Sequence, residues 1–100
     1  MNTRMIKSFR LKGLEQFYQT GTKRGITPAL TSRLARMLDR LDASTSPQDM
    51  NLPGFGLHRL KGERADQWAL SLSGNWRLVF EFEGADATNV DYLDYHKRDS

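Results

Sequence analysis

"WALSLSGNWRLVFEF", residues 68–82, decides the fold of this chain. Trp68, Leu70 and Leu72 alternate with Ala69 and Ser71. After Gly74-Asn75, Trp76, Leu78, Phe80 and Phe82 alternate with Arg77, Val79 and Glu81. A period of two is that of a strand with one apolar face, and Gly-Asn between two such runs is a turn signal. This phasing sends the aromatic side into the core and Arg77 out of it. A charge flanked by Trp and Leu in a central strand is otherwise buried without a partner.

The pattern extends in both directions. Glu83-Gly84-Ala85-Asp86 reads as a second turn, and Val90 to Asp94 as a last, more mixed strand. Leu57–Lys61 reads as the strand before Trp68. The second half is thus a meander of antiparallel strands with short connections, which buries one face and leaves the other open. Before residue 55 the period is helical. Leu11, Leu14, Phe17 and Tyr18 fall on one helix face, and Gly21 stops a helix of about residues 9–20. Met5-Ile6-Lys7-Ser8-Phe9 precedes it as a short strand. Thr27 before Pro28 combines a capping side chain with a first-turn proline, and so opens a second helix. There Leu30, Leu34, Met37, Leu38 and Leu41 make an apolar stripe. Arg33, Arg36 and Arg40 make a basic stripe roughly 120° away round the axis. Ser46-Pro47 opens one more short turn. The expected architecture is α+β: a single domain over residues 1–100, with two N-terminal helices on one face of a four- to five-stranded antiparallel sheet.

Bulk properties narrow the class. One hundred residues with 38% hydrophobic and 27% charged residues describe an ordinary folding chain, not a disordered one. No apolar run approaches the roughly 20 residues of a membrane span, and the N-terminus has no apolar signal-peptide core. Without cysteine there are no disulfides and no thiolate metal sites, which fits a cytoplasmic protein. The net charge of +3 is unevenly spread. Residues 1–40 carry nine Lys/Arg against two acids, and residues 41–100 carry six against ten. The first part is basic enough to attract a polyanion, with Lys23, Arg24, Arg33, Arg36 and Arg40 as the candidate contacts. A plain solvated basic face is the alternative.

Chemistry concentrates in two strings, "GLHRLKG" (56–62) and "DYLDYHKR" (91–98), which hold both histidines of the chain. His58, Lys61, Arg77, Asp94, Tyr95 and His96 are expected to converge on the open sheet face. No Gly-x-Ser-x-Gly elbow or phosphate-cradling glycine loop accompanies them, and two histidines without a carboxylate pair at ligand spacing are only a weak signal for a metal. The set suits metal-free cleavage of RNA, where the substrate's own 2′-OH is the nucleophile. The protein then only moves protons and stabilises the charge on phosphorus. Each residue has a plainer reading: a strand-end histidine, a solvated lysine, a cross-strand ion pair for Arg77 with Glu63 or Asp94, a packing tyrosine, a frayed terminal histidine. His58 and Lys61, three apart, fall on opposite faces of a regular strand, so the strand must bend or end between them.

"MIKSF", "LHRLKG", "WALSLSGNWRLVFEF" and "VDYLDYH", in this order over residues 5–96, resemble the HigB toxins of the RelE/ParE superfamily of bacterial type II toxin–antitoxin systems. The resemblance implies a RelE-like fold and a ribosome-dependent mRNA endonuclease without metal or cofactor. It implies neutralisation by a HigA-like helix-turn-helix antitoxin, with operator DNA reached only through that antitoxin. It also implies messenger and ribosomal RNA as partners, and no membrane. The family's active-site pattern falls on His58, Lys61, Arg77, Asp94, Tyr95 and His96. Arg59 departs from the family, standing where proline is common, and is a candidate phosphate contact. A ParE-like gyrase inhibitor and a non-enzymatic, antitoxin-binding co-repressor are the rival functions.

Overall fold

A computed structural model of the chain describes residues 6–60 and 66–94. Helix α1 spans Lys12–Thr20 and α2 Thr31–Asp42, with 3-10 turns at Pro28–Leu30 and Pro47–Met50. Strands β1 (His58–Arg59), β2 (Trp68–Ser73), β3 (Trp76–Glu83) and β4 (Asp86–Asp94) form an antiparallel sheet in chain order. This is the expected α+β arrangement of helices and meander. Ser73 pairs with Trp76 across Gly74-Asn75, and Glu83 with Asp86 across Gly84-Ala85.

Residues 6–10 add a fifth, parallel rim along β4. Ile6 bridges Ala87 and Phe9 bridges Val90. The Lys7 amide donates to the Ala87 carbonyl (2.7 Å) and the Arg10 amide to that of Val90 (2.9 Å). Phe9 is committed to this pairing, so α1 begins at Lys12 and not near residue 9. The rim also covers the outer edge of β4, whose open amides and carbonyls would otherwise invite another chain.

Gly21 ends α1 as expected, in the left-handed region (φ 79°), its amide donating to the Phe17 carbonyl. The start of the second helix differs from expectation. Thr27 makes no side-chain cap; Pro28 opens a 3-10 turn and α2 begins three residues later. The Thr27 amide lies 3.4 Å from the Tyr92 hydroxyl, which ties this turn to the sheet.

The apolar stripes meet as predicted. Leu14, Phe17, Leu34, Met37, Leu38 and Leu41 pack on Leu70, Leu72, Leu78, Phe80, Val90 and Tyr92 in one cluster, with Trp68, Trp76 and Phe82 half-buried at its border. Phe80 is fully buried, which confirms the strand phasing. In β4 the phase is shifted by a bulge. Val79 pairs with Asp91 but Glu81 with Thr88, and Asn89 takes the extra position at φ 52°. Asparagine is among the few non-glycine residues that accept this conformation readily. Its side-chain amide donates to Glu81 Oε1 (3.1 Å), and its backbone amide to Ser8 Oγ (2.8 Å). The shift allows both Ala87 and Val90 to face the helices.

Candidate active site

The face away from the helices is built from the even alternation of β2 and β3. Ala69 lies between His58 and Val79, and Val79 pairs with Asp91. In the next row Ser71 pairs with Arg77, and Arg77 with Leu93. Ala69 and Val79 are buried and stand outside the helix-side cluster. They floor the middle of this face, so it is not open throughout as the sequence suggested. His58, Arg77, Asp91 and Leu93 stand around that floor.

His58 sits on a two-residue edge strand and is exposed. Its Nδ1 lies 3.1 Å from the Gly56 carbonyl oxygen. Gly56 has φ 63°, and a methyl group at its Cα would sit 2.9 Å from Ser71 Oγ. Glycine is therefore needed here both for the turn and for the close approach of the loop to β2. The Ser71 amide donates to the Phe55 carbonyl at 2.8 Å. The strand expected over Leu57–Lys61 is reduced to His58–Arg59, with one further backbone bond from Leu60 to Gln67.

Arg77 lies on the helix-free face as predicted, half-buried. Its Nη1 donates to the Gly74 (2.7 Å) and Trp76 (3.0 Å) carbonyls. These bonds fold the guanidinium against the β2–β3 turn, two strands across and one row along from His58.

Asp94 is a correction. It pairs with Trp76, so it belongs to the helix-side row with Tyr92, and Leu93 is the residue beside Arg77. The alternation of Val90, Tyr92 and Asp94 in one strand puts all three on one side. Asp91 is the β4 carboxylate in the row of His58 and Val79, on the same face as Arg77. It was not among the expected residues, although its alternation with buried Tyr92 carried the signal. Lys61, Tyr95 and His96 lie outside the described residues, as does Glu63.

The basic stripe of α2 is divided. Arg33 turns inward: its Nε and Nη2 donate to the Ser71 carbonyl (3.3 and 3.1 Å), Nη2 also to the Gly54 carbonyl, and the guanidinium lies 5.8 Å from the Phe55 ring centroid. Arg40 reaches the Asp49 carbonyl (3.4 Å). Asp49 accepts from the Thr45 amide, which with the Thr45 hydroxyl, the Ser46 amide and Arg40 holds its carboxyl below the usual aspartate range. Arg36, Lys23 and Arg24 are exposed, with side chains that make no hydrogen bond or ion pair among the described residues. Arg59 is in register with Trp68, on the opposite face from His58, and its guanidinium lies 5.8 Å over the indole. It is therefore placed away from the phosphate contact expected of it.

Among the described residues no three His, Asp or Glu side chains cluster as metal ligands. No helix among them is long and apolar enough to cross a membrane.

Residues 7–96 match the family model described as the RelE-like toxin of type II toxin–antitoxin system HigB. A relative named Endoribonuclease HigB, from Proteus vulgaris, is 36% identical over 92 residues, which is 92% of this chain and 100% of the relative. With the sheet, the two packed helices and the pattern from "LHRLKG" to "DYLDYH" in place, the chain belongs to the HigB-like toxins of type II toxin–antitoxin systems.

Proposed function

We propose that this toxin is an endoribonuclease that cuts messenger RNA on the ribosome, without a metal, on the helix-free sheet face. The supporting observation is the presence of His58 and Arg77 on that one face, above a floor of small apolar residues. A base removes the proton of the 2′-OH, and the 2′ oxygen attacks phosphorus. The P–O5′ bond then breaks and the leaving oxygen takes a proton, giving a 2′,3′-cyclic phosphate and a free 5′-OH. Proton transfer falls to His58, Tyr95 and His96. Arg77 and Lys61 stabilise the phosphorane charge. Asp94, in the helix-side row, takes part from the strand end, where it can orient the residues that follow it.

Its protein partner is an antitoxin, as the family requires; we assign that role to a HigA-like helix-turn-helix protein, which alone would contact operator DNA. Primer extension on messenger after induction tests the activity. Cuts inside translated codons are expected, and their absence, with DNA gyrase inhibited instead, would establish the ParE-like alternative.

Ribosome binding is assigned to the exposed cations Lys23, Arg24 and Arg36. Arg33 is left out because its guanidinium turns inward onto the Ser71 and Gly54 carbonyls, and Arg40 because it lies against the Asp49 turn and its carboxylate. Each phosphate contact releases counterions, so affinity falls steeply with salt. Reversing all three to glutamate is expected to weaken co-sedimentation with ribosomes and to lower the log–log salt slope by about 2. Equal slopes for variant and wild type would remove these residues from the interface.

A further inference from the structure

We propose that Arg33 is a positioning residue for His58, acting through the Gly54–Gly56 loop to set which ring nitrogen of His58 accepts the proton. The inference rests on the catalytic reading of His58 given above.

The contact between His58 Nδ1 and the Gly56 carbonyl admits one arrangement of the neutral ring. A carbonyl oxygen only accepts, so at 3.1 Å the proton must sit on Nδ1. In the neutral ring Nε2 then keeps its lone pair, turned away from the loop and able to take a proton. The hydrogen bond of one ring nitrogen thus sets the role of the other.

An exposed histidine does not hold such an arrangement alone. One neutral hydrogen bond at the surface is weak in competition with water, and β1 is two residues long. The acceptor has to be held from outside the strand. The Phe55 carbonyl takes the Ser71 amide at 2.8 Å, which seats the loop on β2. Gly56 can then pass Ser71 Oγ because it has no side chain. Arg33 closes the seat from the other side. Its planar fork spans the Gly54 and Ser71 carbonyls, one on the loop and one on β2, and stacks near Phe55. Arginine suits this task because its donors leave in fixed directions. The side chain comes from α2, a rigid helix whose Leu34, Met37, Leu38 and Leu41 are in the core. The path therefore runs from the helix packing through Arg33 and the loop carbonyls to Nδ1 of His58.

This separates Arg33 from the other basic residues of α2. Arg36, one helical turn further, is exposed and available to a polyanion; Arg33 is not. It also makes the Gly56 carbonyl part of the site, a role that a motif of side chains does not reveal.

The test uses the full-length toxin with Arg33→Met, Arg33→Lys and His58→Gln, assayed with ribosomes and messenger. Nitrogen-15 spectra of the histidine rings at neutral pH are recorded for each protein. His58 is assigned by the signals lost in His58→Gln. The wild type is expected to show His58 protonated on Nδ1. Arg33→Met is expected to shift it to a mixture of tautomers and to lower the cutting rate about 10- to 100-fold at saturating ribosome, with unchanged ribosome binding. Arg33→Lys keeps the charge but not the fork, and is expected to fall between. If Arg33→Met melts below the assay temperature, Arg33→Lys decides on the same two readouts. A wild-type rate, or a reduced rate with the His58 tautomer unaltered, in a folded variant overturns the positioning role. Full activity in His58→Gln instead overturns the catalytic reading of His58, so the two failures are distinguishable.

Discussion

Arg77→Ala is expected to lower the cutting rate about 10²–10³-fold, the usual loss for one donor that stabilises transition-state charge. Stability should fall by about 1–2 kcal/mol, less than a core truncation costs. The residue is half-buried, and the bonds it makes to Gly74 and Trp76 are to carbonyls of an exposed turn or strand start. Such bonds contribute about 1 kcal/mol each. Melting temperature therefore separates catalysis from folding. A folded Arg77→Ala that arrests growth as the wild type does would take Arg77 out of the mechanism. The same measurement on Lys61→Ala tests the partner donor. Arg77→Lys is informative as well, since a point charge replaces a planar fork and can meet only one phosphate oxygen at a time.

Phe80→Ala should have the largest effect on stability. Its ring is fully buried in the central strand and packs edge-on against Phe82 at 5.9 Å between centroids. Truncating a buried phenylalanine costs about 3–5 kcal/mol, through lost transfer energy and the cavity left behind. That is a large share of the stability of a domain this small. Denaturant unfolding of Phe80→Ala against Phe82→Ala checks it. Phe82, only half-buried at the border, should cost clearly less. Equal costs would mean that the sheet does not pack as described.

The legible part of the fold came from periodicity. Trp68, Leu70 and Leu72, then Trp76, Leu78 and Phe80, face the helices as their alternation required, and the leucines of residues 30–41 form the stripe that receives them. Gly21 and Gly74-Asn75 end or turn the chain where expected, because left-handed backbone is cheap at glycine. Thr27-Pro28 opens the helical segment as expected, but the Leu30 amide bonds back to the Thr27 carbonyl (2.9 Å), so the first turn is 3-10 and α2 follows it. Asp94 misled. Grouping it with the residues after it overrode the simpler alternation with Tyr92 and Val90 that decides its face.

By itself the sequence determined the class, the strand phase, the helix stripes and Arg77's side of the sheet. Each follows from side chains partitioning between water and core at a period set by one element's backbone. Tertiary structure alone decided the parallel rim at residues 6–10, the bulge at Asn89, the seating of the Gly54–Gly56 loop and the inward turn of Arg33. Those depend on backbone carbonyls and amides 16 to 82 positions away in the chain finding donors and acceptors. Every residue but proline offers both groups, so no pattern of side chains announces which of them will meet.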